Sequence, residues 1–150
     1  MNIKQALKRK NKLVKEISSE FEKLQKYNSV VEGMERVYEP QQAMDNYIRK
    51  TNQLIALKTA VHRANAPVYD KIFRLAELKS VISQVKRLDC QNGTIHSRGG
   101  YGSPSETIVM TAVVSIIERD QIVEKLEAEI EMIQDDLDRW NATTEIDWTE

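Results

Sequence analysis

Residues 3–31 read IKQALKRKNKLVKEISSEFEKLQKYNSVV, and this stretch decides the fold. Ile3, Leu7, Lys10, Val14, Ile17, Phe21, Leu24, Asn28 and Val31 follow one another in alternating steps of 4 and 3, and seven of the nine are apolar. Steps that average 3.5 draw one narrow stripe along a helix, the pattern of a heptad seam facing a partner helix. At roughly 1.5 Å per residue such a helix is roughly 40 Å long. It cannot bury its seam against itself, so the stretch predicts a neighbour.

Working outward, Gly33 and Pro40 bracket a break. A second helix is expected from about Pro40 to Asn65, because proline suits a first helical turn. Its apolar positions are Met44, Tyr47, Ile48, Leu54, Ile55, Leu57 and Val61. Pro67 disfavours helix at Ala66 and marks a joint. A third helix places Ile72, Phe73, Leu75, Ala76, Leu78, Ile82, Val85 and Leu88 inward and stops before Asp89. The last helix has a readable start, since Ser115 and Glu118 fit a capping box. Val123, Leu126, Ile130, Ile133, Leu137 and Trp140 then step by 3 and 4 until Asn141 to Thr144 end it.

Between the third and last helices the sequence changes character. Four of the chain's five glycines, Gly93, Gly99, Gly100 and Gly102, lie there, beside Pro104 and several hydroxyl side chains. The flanks Thr94 to His96 and Thr107 to Met110 are β-branched, so the segment reads as a β-hairpin around a glycine-rich tip. The expected fold is therefore mainly α: long helical hairpins with coiled-coil heptads plus a small β-hairpin, in an oligomer. The chain reads as a single helical domain, 1–150, with the Gly-rich hairpin inserted at about 91–113.

Composition narrows the classes. Gly and Pro together make 8 of 150 residues, too few for a collagen-like or low-complexity chain. The 22 basic and 23 acidic side chains nearly cancel, so global charge argues for neither nucleic acid nor membrane. The single Cys90 excludes an internal disulfide framework. There is no apolar run long enough for a secretory signal or a membrane span, and a cytoplasmic location follows as the expectation. Charge is sorted along the chain, however. Residues 1–26 hold eight Lys/Arg against three acids, and residues 118–138 hold nine acids against two. A basic and an acidic heptad helix make natural partners, within one chain or between protomers, and each exposed pair contributes little stability.

Three stretches carry a family resemblance: Ala6-Leu7-x-x-Lys10-x-x-Leu13-x-x-x-Ile17; Leu54-Ile55-Ala56-Leu57 leading into Arg63-Ala64-Asn65-Ala66; and Trp140-Asn141-Ala142-Thr143-Thr144-Glu145. In this order they resemble the septicolysin-like family of small, largely uncharacterised bacterial and phage proteins. The resemblance implies a helical-hairpin fold and no particular reaction. It leaves Arg98 to Gly102 unassigned, because the family's middle segment is usually poorer in glycine.

Catalysis needs a constellation of side chains, and none is visible. His62 and His96 lack the spacing of a zinc motif, Cys90 has no partner cysteine, and Asp135, Asp136 and Asp138 read as a solvated face. Arg98 to Ser103 lacks the Gly-Lys-Ser/Thr ending of a phosphate-binding loop. His62, Arg63 and Asn65 read as an inter-helix polar layer. No enzyme activity, no metal and no cofactor are expected. The best candidate site is the tip itself: His96, Arg98, Gly99, Gly100, Tyr101, Gly102 and Ser103. Glycines let backbone amides approach an anion, Arg98 can pair with phosphate, Tyr101 can stack on a base, and His96 and Ser103 can donate hydrogen bonds. The competing reading is a plain turn with Tyr101 as a packing anchor.

The partners expected are a second copy of the chain and a small anionic or nucleotide-like ligand, with no membrane. In a phage, such a binder would suit sequestration of host immune nucleotide signals. Two alternatives remain: a scaffold that presents its heptads to another protein, and a nucleic-acid binder using Lys8 to Lys15, which lacks the interleaved aromatics that such surfaces carry.

Overall fold

A computed structural model describes residues 1–96 and 107–149. Its described elements run α1 (Ile3–Tyr27), α2 (Pro40–Ala64), a 3-10 turn (Ala66–Val68), α3 (Tyr69–Val85), β1 (Gly93–His96), β2 (Thr107–Met110) and α4 (Ile116–Thr143). The chain divides into two compact units, one of Met1–Tyr69 with Asp138–Glu150 and one of Asp70–Leu137.

In the first unit, α1 starts at a capping box that the heptad reading did not anticipate. The Asn2 side chain accepts from the Gln5 amide at 2.9 Å, and the Gln5 side chain accepts from the Asn2 amide at 3.1 Å. The shielded stripe of α1 is Ile3, Ala6, Lys10, Leu13, Ile17, Glu20, Leu24 and Tyr27, flanked by Leu7, Arg9, Glu16 and Lys23. On α2 it is Ala43, Tyr47, Lys50, Leu54, Leu57, Val61 and Ala64. Both stripes step by 3 and 4. The helices are antiparallel: Phe21 near the end of α1 lies 5.6 Å from the Tyr47 ring early in α2, whereas Ile3 and Ala6 share a core with Leu57.

This corrects the expected seam by one position. Ile3, Lys10, Ile17 and Leu24 lie on it as read, but Val14 and Phe21 are nearly half exposed and Val31 lies beyond the helix. The rows 7/14/21 and 6/13/20 flank the shared row on either side, 4 and 3 residues away. Packing on α2 covers the side that carries Ala6 and Leu13, and Lys50 satisfies Glu20 there at 3.0 Å. Met44, Ile48 and Ile55 of α2 likewise face outward.

The residues after α4 close this core. The Ile3 amide donates to the Thr144 carbonyl at 3.0 Å and the Ile146 amide to the Met1 carbonyl at 2.9 Å. Asn2 and Glu145 thereby form an antiparallel bridge, which seats Ile146 beside Ile3, Leu13 and Leu57, with Trp140 and Trp148 packed around them.

In the second unit, α3 turns Leu75, Leu78, Ile82 and Val85 inward, and α4 turns in Val123, Leu126, Ile130, Ile133 and Leu137 as the periodicity predicts. Phe73, Ala76 and Leu88, expected inward on α3, are exposed instead; the stripe occupies a narrower arc than the apolar residues do. Ser115 caps α4 as read, its amide donating to Glu118 at 2.9 Å and its hydroxyl accepting from the Glu118 amide at 3.2 Å. The acidic α4 finds its basic partners on α3: Lys71 bonds Asp136 at 2.6 Å, Lys86 bonds Glu127 at 2.7 Å, and Arg74 pairs with Glu129.

Candidate functional site

Glycine at position 93 opens the β segment with a backbone φ of +111°, which a side chain would strain. The Asp89 carboxylate precedes it, accepting from the Gln91 amide at 3.0 Å and turning the chain out of α3. β1 and β2 then pair antiparallel in the register Gly93↔Met110, Thr94↔Val109, Ile95↔Ile108 and His96↔Thr107. The sequence therefore predicted the hairpin strands correctly. Alternation sets Ile95 and Ile108 on one face with Met110, and Val109 on the other with Thr94 and His96. Apart from half-buried Met110, every strand residue is exposed.

Of the proposed ligand residues, His96 is described. It is exposed at the end of β1, its Nδ1 3.5 Å from the Thr107 hydroxyl. Arg98, Gly99, Gly100, Tyr101, Gly102 and Ser103 lie outside the described residues. Cys90 is half-buried, with its Sγ 3.6 Å from the Leu88 carbonyl.

His62 has a local role. The Tyr69 hydroxyl donates to the His62 carbonyl at 2.8 Å and also meets the imidazole Nδ1. The rings lie 5.0 Å apart and hold the joint around the 3-10 turn. Arg63 instead lines an open groove of about 790 Å³, with Thr59, Ala60, Glu145, Asp147 and Trp148 among its walls. Its floor is small because alanine recurs at positions 56, 60 and 64 of α2.

Sequence reasoning missed an ion network across α1 and α2. Arg9 bonds Glu16 at 2.9 Å; Lys50 reaches Glu16 at 3.5 Å and Glu20 at 3.0 Å; Lys23 bonds Glu20 at 3.2 Å. Burial alone would push both carboxyls up. Hydrogen bonds and charge from Arg9 and Lys50 at Glu16, and from Lys50 and Lys23 at Glu20, outweigh it and hold both below the ordinary value. The available signal was Glu16 and Glu20 four apart, Glu20 on the shielded stripe and Glu16 beside it. Among the described residues no three His, Cys, Asp or Glu side chains gather as a metal site. No described helix is long and apolar enough to cross a membrane.

The three stretches that carry the family resemblance converge in one core, through Ala6 and Leu13, Leu54 and Leu57, and Trp140. No family model matches this sequence, and no curated protein or solved structure matches it.

Proposed function

We propose that the chain is a non-catalytic, cytoplasmic helical binding protein that works as a homo-oligomer. Its heptad-patterned hairpins serve as coiled coils, and its Gly-rich tip receives a small anionic or nucleotide-like ligand. The supporting observation for assembly is the apolar surface of the second unit. Val109, Ile116 and Ile117 are each more than half exposed, and Val113 is 99% exposed. A two-stranded sheet is marginal alone in water, and exposed apolar side chains this close in sequence suit a contact surface. Membership of the septicolysin-like family, read from the three sequence stretches, belongs to the same proposal.

Sedimentation velocity at micromolar concentrations tests the assembly: a dimer or larger species is expected, and a monomer at every concentration overturns it. Calorimetry with mono-, di- and cyclic nucleotides tests the ligand. Binding that Arg98→Ala or Tyr101→Ala weakens, with the melting temperature unchanged, is expected; no heat with any of them defeats that part.

A further inference from the structure

The antiparallel pairing of α1 and α2 brings together two stretches that are far apart in sequence and share one property. Residues 1–15 contain six Lys/Arg and no acid, and residues 46–69 contain four Lys/Arg and no acid. Because the start of α1 packs on the end of α2, the six cations of residues 1–15 gather with Lys58 and Arg63 at one end of the hairpin, while Lys50 lies further along, beside Glu16 and Glu20. Counting charge along the chain hides this, since α2 as a whole is unremarkable.

Carboxylates at its edges neutralise parts of that surface. Arg9 and Lys50 hold Glu16. Arg63 shares its groove with Glu145 and Asp147, and Lys4 and Lys8 line a depression with Asp138. One depression has no such relief among the described residues. Lys10, Asn11, Val14, Lys15 and Lys58 line an open depression of about 470 Å³, so three lysines and no acidic residue stand among its described walls. None of the three lysines has an ion pair among the described residues. Lys10 stands on the shielded stripe and is half-buried, so part of its stem packs against the helix pair. Lys15 follows it about 7.5 Å further along α1, and Lys58 approaches from α2. Like charges held together repel one another, and a multivalent anion of matching size removes that cost.

We propose that this depression binds the phosphate chain of a small polyphosphate, either a nucleoside triphosphate or inorganic tripolyphosphate. The lysine ammoniums act as point charges on the phosphate oxygens, the Asn11 amide donates beside them, and Val14 gives an apolar edge. The site is built from residues other than those of the Gly-rich tip, so it stands or falls separately from the ligand reading above.

Titration calorimetry of the full chain at low salt, with tripolyphosphate and with ATP, tests it. Binding of both is expected, weakening as salt rises. Lys15→Gln and Lys58→Gln should each lose about tenfold in affinity, the worth of one charge-assisted hydrogen bond. Lys26→Gln, on an exposed part of the same helix, should leave affinity unchanged. Equal affinities for the two ligands assign recognition to the phosphates alone; tighter ATP adds the nucleoside, and both outcomes support the site. Thermal melting without ligand separates lost affinity from lost fold. Absence of heat with both ligands overturns the proposal, as does binding that Arg98→Ala abolishes and the lysine variants do not. Binding confined to duplex DNA also overturns it, in favour of a nucleic-acid surface.

Discussion

The two units use the same 3-and-4 stepping and reach different degrees of burial. In the first, Ile3, Leu13 and Leu57 are wholly inaccessible to water; in the second, the best-buried of the described residues, Leu137, keeps 7% of its surface. The difference lies in what covers the helices. The first unit adds a third layer to its α1–α2 pair, the segment with Ile146 and Trp148, whereas α3 and α4 are joined by ion pairs along exposed flanks. Heptad periodicity alone therefore does not set how dry a seam becomes.

Leu57→Ala should break this contrast most severely. It leaves a cavity where no water enters, and a loss of about 3–5 kcal/mol is expected by denaturant unfolding, against about 2 kcal/mol for Leu78→Ala. Equal losses would mean that the second unit's seam is covered in solution as fully as the first.

The polar interactions sort the same way. Glu20 is 6% exposed, so Glu20→Ala leaves Lys50 with Glu16 alone, at 3.5 Å, and should cost about 1–3 kcal/mol, less than leaving a buried charge wholly unpaired. Glu129→Gln removes a surface partner of Arg74 and should cost under about 1 kcal/mol. Acid sharpens the comparison. Folding lowers the pKa of Glu16 and Glu20, so the unfolded chain takes up their protons first. Their contribution is complete above the ordinary carboxyl value of 4.5 and is lost as pH falls below it through the lowered values. Tryptophan fluorescence follows the first unit, since Trp140 and Trp148 both pack on its core. The acid transition of wild type should flatten in a Glu16→Gln, Glu20→Gln variant.

Helix positions, the α4 cap and the strand pair were legible because each rests on local chemistry: proline at a first turn, Ser115 facing Glu118, β-branched residues beside glycines. The side of α1 that is buried was not legible. Leu7, Val14 and Phe21 make a more apolar row than Ala6, Leu13 and Glu20, and composition favours the wrong one. The choice belongs to the partner helix, whose Lys50 converts Glu20 from a penalty into a contact. The candidate sites divide likewise. A glycine-rich tip announces itself in one segment, whereas Lys10, Lys15 and Lys58 become neighbours only when two helices pair.

The smallest expected effect on stability is the most informative about the second unit. Val109 is 68% exposed on β2, opposite Thr94, and makes no buried contact whose loss would unfold the chain. Val109→Lys should therefore change monomer stability by less than about 0.5 kcal/mol. If the hairpin's outer surface is covered by a second copy, the same substitution places a charge in an apolar contact and should shift sedimentation toward monomer. An assembly that survives Val109→Lys but falls apart with Phe21→Lys would instead assign association to the outward row of α1. In that case the drier unit, and not the more exposed one, holds the copies together.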